Sequence, residues 1–111
     1  MVTYCLGRTQ DIAEGRGKGI LDPTGRGRDF FIIRQGENIF AYRNTCPHKG
    51  TPLDLIPDHF ICRYTGHILC ATHGALFRIE DGMCLEGPCP GAHLTPISVH
   101  VEDGMIWVSI S

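Results

Sequence analysis

Few stretches of this chain run far without a glycine or a proline. Fourteen Gly and 7 Pro are spread over 111 residues, and each either permits a turn or discourages a continuing helix. Such punctuation favours short strands joined by turns. Short β-like runs lie between the breaks at Thr3–Leu6, Lys18–Leu21, Phe30–Arg34 and Ile39–Arg43. Phe30-Phe31-Ile32-Ile33, then Gln35-Gly36-Glu37-Asn38, then Ile39-Phe40-Ala41-Tyr42 reads as a hairpin. Further on, Pro96-Ile97-Ser98-Val99-His100-Val101 alternates apolar and polar, turns at Glu102-Asp103-Gly104 and returns as Met105-Ile106-Trp107-Val108. Neither an amphipathic helix nor a repeat of domain-building length is read. The expected fold class is all-β, as one domain over residues 1–111. Its base strands fall at about 1–43 and 92–111, with an irregular region at about 44–91 that carries most of the Cys, Pro and His.

Charge excludes some functions. The formal net charge is −2, so no global field recruits nucleic acid. Residues 1–45 hold seven Lys/Arg and five Asp/Glu, whereas residues 46–111 hold three and seven. The second part is mildly acidic, which reads as ordinary solvated surface or as a weak guide for a basic partner. Gly15-Arg16-Gly17-Lys18-Gly19 with Gly25-Arg26-Gly27-Arg28 imitates a phosphate loop. Gly19 stands where a Walker loop needs Ser or Thr, and no aromatic interleaves the arginines, so loops around a strand are the better reading. No Gly-x-Gly-x-x-Gly follows a strand, so direct NAD or flavin binding is not indicated. No apolar run reaches the length of a membrane helix. Met1 to Gln10 shows no signal-like pattern, and six cysteines without one suggest reduced thiols, metal ligation and the cytoplasm.

Two motifs carry the chemistry. Cys46-Pro47-His48-Lys49-Gly50 is a Cys-x-His pair, and Cys70-Ala71-Thr72-His73-Gly74 is a Cys-x-x-His pair, with 21 residues between His48 and Cys70. Two Cys and two His can hold tetrahedral zinc or a cluster with mixed ligands. A zinc finger usually separates its cysteines from its histidines, but here each arm is mixed. That arrangement matches a [2Fe–2S] cluster in which one iron takes both thiolates and the other both imidazoles.

At these residues the chain resembles the Rieske iron–sulfur family, in particular its small soluble ferredoxins. Matching pieces are Cys46-Pro47-His48-Lys49-Gly50-Thr51-Pro52-Leu53, Cys70-Ala71-Thr72-His73-Gly74-Ala75-Leu76-Phe77, and Gly87-Pro88 after the Asp81-Gly82 turn. The resemblance is tight from Asn44 to Pro90 and loose before Phe30. It implies an antiparallel β-sandwich with a cluster-binding loop subdomain and one [2Fe–2S] cluster on Cys46, His48, Cys70 and His73. It further implies that Lys49, Gly50, Thr51, Gly74, Ala75, Phe77 and Pro88 surround the cluster, Pro88 covering it.

Departures from the family pattern carry information. Respiratory-complex members have one further cysteine in each binding loop, joined as a disulfide; Thr51 and Thr72 stand there in this chain. Those members also place Ser and Tyr donors to cluster-side sulfur where Ala75 and Phe77 stand here. Donors to sulfur favour the more negative reduced state. Their loss predicts the lower end of a range of about −150 to +300 mV. The resemblance implies that the histidine-ligated iron faces solvent, and since imidazoles donate less charge than thiolates it would take the electron.

The function implied is a one-electron carrier from a nicotinamide-dependent reductase to a terminal oxygenase, itself not an enzyme. A small Rieske subunit of a nitrite-reductase-type enzyme is an alternative, as is a structural zinc module, which would be colourless. An oxygenase itself would need a second iron site for which these residues leave no room. Cys5, Cys62, Cys84 and Cys89 are expected to be small buried hydrophobes, although a Cys84–Cys89 bridge is conceivable. His59, His67, His93 and His100 read as surface or turn histidines, and Trp107 reads as core.

Overall fold

The computed structural model describes residues 2–47, 52–54, 58–71, 74–87 and 92–110. The all-β expectation holds: among the described residues, nine strands form three antiparallel three-stranded sheets and there is no α-helix. In chain order the strands are β1 (Val2–Arg8), β2 (Gly17–Ile20), β3 (Phe30–Gln35), β4 (Asn38–Arg43), β5 (Ile68–Cys70), β6 (Ala75–Phe77), β7 (Cys84–Glu86), β8 (Ser98–Glu102) and β9 (Met105–Ile110). The sheet orders are β1-β9-β8, β2-β3-β4 and β5-β6-β7. The first and last strands therefore pair with each other.

Strand β3 organises the interior. Phe30, Phe31, Ile32 and Ile33 are all buried, and side chains alternate across a strand. Phe30 and Ile32 pack with Ile39, Ala41, Ile106, Val108 and Ile110, in a core shared with the β1-β9-β8 sheet. Phe31 and Ile33 pack the opposite way, with Phe60, Ile68, Cys70, Ala75 and Phe77. The β2-β3-β4 sheet is thus a middle layer covered on both faces, which is why its central strand is a continuous apolar run. Phe31 stacks on Phe60 with ring centroids 4.4 Å apart.

Both hairpins read from the sequence form. Gln35 pairs with Asn38 across Gly36-Glu37, and Gly36 has φ +64°. Glu102 pairs with Met105 across Asp103-Gly104. Asp103 and Gly104 both have positive φ, 52° and 75°, as a turn matching the right-handed twist of its strands requires.

Two core expectations are corrected here. Trp107 is only half-buried and lies on the outer face of β9, between Cys5 of β1 and His100 of β8. Ile106, Val108 and Ile110 take the core face of β9. Because faces alternate strictly, burying these three puts Trp107 outside despite its size. Cys5 is exposed for the same reason, Cys62 is half-buried, and Cys84 is buried. His59, His93 and His100 are exposed, whereas His67 is half-buried and its Nδ1 has no hydrogen-bond partner among the described residues. Cys89 lies outside the described residues, and so does the Cys84–Cys89 bridge.

The glycine-rich segment between β2 and β3 is organised by one buried carboxylate. Asp22 accepts hydrogen bonds from the Thr24 amide (2.8 Å), the Thr24 hydroxyl (2.6 Å) and the Arg28 amide (3.1 Å). These bonds, led by the Thr24 hydroxyl, hold its carboxyl at about 2, below the ordinary 3.8. The unfolded chain therefore takes up the proton first as pH falls. The stabilisation is complete above about pH 4 and is lost as pH drops through about 2. Urea unfolding between these limits is expected to show stability declining with pH in the wild type. The decline should be shallower in Asp22→Asn, whose amide does not titrate.

Candidate metal centre

The first binding loop leaves the middle sheet at Asn44. Arg43 N–H still bonds Thr95 O (2.8 Å), and Asn44 N–H bonds Asp29 O (3.0 Å). The Asn44 side chain then closes the base of the loop: its Oδ1 accepts from Leu53 N–H (2.8 Å) and its Nδ2 donates to Asp54 Oδ1 (3.0 Å). One amide thus spans the segment that carries Cys46. Asp54 Oδ2 accepts from Asp58 N–H (3.3 Å), and Asp58 Oδ1 accepts from Gly19 N–H (2.7 Å), tying the loop to the edge of β2.

The second loop is a hairpin turn. Cys70 ends β5 and pairs with Ala75, which opens β6. Gly74 N–H bonds Cys70 O at 2.8 Å, with Gly74 at φ +72°. The two loops are joined directly, since Ala71 N–H bonds Leu53 O at 2.9 Å. Cys46, Leu53 and Cys70 are fully buried and belong to one core cluster. Two sulfur donors are therefore held out of water in the same core, on loops hydrogen-bonded to each other. That chemistry fits the thiolate half of a mixed-ligand [2Fe–2S] site. His48, Lys49, Gly50, Thr51, His73 and Pro88 lie outside the described residues. Among the described residues no group of three or more Cys, His, Asp and Glu forms a metal site.

Ala75 and Phe77 are both fully buried on one face of β6. The segment leading to Pro88 is pressed against this strand. Gly87 has φ +114°, and a Cβ there would stand 2.7 Å from Ala75 Cα and 2.9 Å from Ala75 Cβ. At the far end of the β6–β7 hairpin, the Tyr42 hydroxyl donates to Ile79 O at 2.5 Å. Burial, with Asp81 and Glu80 nearby, pushes its pKa up to about 12. Arg78 donates twice to Asp81 (3.0 and 2.6 Å), and this pairing chiefly holds that carboxyl at about 2.

Sequence reasoning passed over Asn44, Leu53 and Asp54 as supports of the loop. Their only signal was position, Asn44 directly after a strand and Leu53-Asp54 just past Pro52. Gly87 is more exposed to test. Gly87→Ala must displace backbone of β6, at about 1–3 kcal/mol. A lower urea midpoint and less bound iron per chain are expected on parallel measurement of the purified wild type and variant.

The geometry agrees with known proteins. The chain aligns over its full length with the ferredoxin of carbazole 1,9a-dioxygenase from Nocardioides aromaticivorans IC177, itself covered in full, at 19% identity and a TM-score of 0.79. A chain from a complex of reduced oxygenase and oxidized ferredoxin in carbazole 1,9a-dioxygenase matches at 23% identity and a TM-score of 0.77, covering 97% of this chain and 93% of that one. Another, from a reduced complex between oxygenase and ferredoxin in carbazole 1,9a-dioxygenase, matches at 20% identity and a TM-score of 0.78, but over only 27% of its length. At these identities the likeness establishes the fold. A search of curated proteins returned no significant match. The Rieske [2Fe-2S] domain family matches residues 2–101, and this chain belongs to that family, whose domain binds one [2Fe–2S] cluster.

Proposed function

We propose that the protein is a one-electron carrier, holding its cluster through Cys46, His48, Cys70 and His73. It would pass electrons from a nicotinamide-dependent reductase to a terminal oxygenase in the cytoplasm. The observation carrying this reading is the pair of buried thiols on mutually hydrogen-bonded loops, in a chain of the Rieske family. Fold likeness to a dioxygenase ferredoxin, and to chains from oxygenase–ferredoxin complexes, supports the oxygenase as acceptor. No helix among the described residues is long and apolar enough to cross a membrane.

When bound, the cluster supplies a reversible one-electron step. The chain's own residues set where and at what potential it occurs. Cys46 and Cys70, both fully buried, would hold the cluster through thiolates in a site closed to water, and His48 and His73 would hold it through imidazoles. Ala75 and Phe77 offer the sulfur no side-chain donor, which favours the oxidised state and a low potential.

Anaerobically purified protein, reduced with dithionite, is expected to be coloured, to contain iron and sulfide, and to give the EPR signal of a mixed-ligand [2Fe–2S] cluster. Zinc in place of iron, or a cluster that survives replacement of both His48 and His73, would refute the reading. Redox titration should place the midpoint at the lower end of the range of about −150 to +300 mV. Ala75→Ser and Phe77→Tyr, each returning a hydroxyl donor, should raise it.

A further inference from the structure

Beside the second binding turn lies a cleft that the electron-carrier reading leaves without a role. Two adjoining cavities, of about 370 and 400 Å³, share His59, Ile61, Cys62 and Arg63. One reaches Leu69 and Ala71 on either side of Cys70, and the other reaches Arg16. None of the described residues lining them is Asp or Glu, although the chain carries a net charge of −2. The neighbouring carboxylate Asp58 turns Oδ1 to Gly19 N–H instead (2.7 Å).

The rim is braced. Ile61 bridges Ile68, Cys62 N–H bonds His67 O, and Gly66 N–H bonds Cys62 O, both at 2.8 Å. On this turn Tyr64 is 87% exposed and stands beside Arg63. Tyr and Arg are enriched among the residues that anchor protein interfaces. Leu69 N–H bonds Phe60 O (2.8 Å) and Ala71 N–H bonds Leu53 O (2.9 Å), so the floor of the cleft is continuous with the loop framework.

We propose that this cleft, edged by Arg16 and Arg63 and topped by Tyr64, is a docking surface for an acidic face of a redox-partner protein. The proposal rests on the electron-carrier reading. A partner seated there lies alongside the strand that ends in Cys70, and opposite charge steers it in.

The test uses dithionite-reduced holoprotein and two one-electron acceptors, acidic rubredoxin and basic cytochrome c, in stopped-flow mixing at low and high salt. The rate to rubredoxin is expected to fall about tenfold as salt rises. Arg16→Glu with Arg63→Glu should lower the low-salt rate by about tenfold, flatten its salt dependence and speed transfer to cytochrome c. Tyr64→Ala should slow rubredoxin at both salt levels. Arg26→Glu with Arg28→Glu makes the same charge change on the loop before β3 and should alter the rates by less than about twofold. Equal effects of the two double variants, or none from the first, would overturn the proposal. If no cluster signal is found, the carrier reading fails on its own. Calorimetric titration with oxidised rubredoxin then still decides the surface: binding weakened by the Arg16 and Arg63 changes supports it, and binding indifferent to them overturns it.

Discussion

Strand β3 is covered by protein on both faces, and the rest of the molecule is arranged around that constraint. Phe30 and Ile32 require one apolar layer and Phe31 and Ile33 require another. The β1-β9-β8 sheet supplies the first, and the region carrying Cys46 and Cys70 supplies the second. The candidate metal centre is therefore built into one of the two cores, rather than hung on the surface of a finished fold. Burial of four large side chains, each worth about 1.5–3 kcal/mol, ties retention of the loops to folding of the middle sheet.

The loops themselves contain little regular structure, and their order comes from a few polar groups in decisive places. Asn44 serves Leu53 and Asp54 at once, and Leu53 O receives Ala71 from the other loop. A buried hydrogen bond contributes about 1 kcal/mol net, and leaving its partner unsatisfied costs more. Loss of the Asn44 amide would release two contacts together. Gly87 adds steric definition, fitting against Ala75 where no side chain can enter. Two thiols reach the same core through this framework although 23 residues separate them in the chain. Holding metal ligands by such outer contacts is how a protein fixes the properties of a bound cluster.

Much of this was legible beforehand. Both hairpins could be read because strand alternation and turn residues are local signals, as at Asp103-Gly104. Of the mixed Cys-x-His and Cys-x-x-His arms, the structure brings the two cysteines into one core, whereas His48 and His73 lie outside the described residues. Trp107 was misread as core because alternation identifies two faces without saying which is inward. The burial of Ile106, Val108 and Ile110 decided that, through packing with a strand more than 70 residues earlier. Cys5, paired opposite Trp107, followed it outward.

The sequence by itself determined the class of fold, the two hairpins and the two paired Cys and His motifs, since each depends on residues close along the chain or on the chemistry of single side chains. Only the tertiary structure decided that the β2-β3-β4 sheet is a middle layer, that Asn44 brackets the first loop, and that Arg16 shares a cleft with Arg63. Those relations join residues far apart in sequence. They exist only once burial of both faces of β3 has drawn the surrounding segments together.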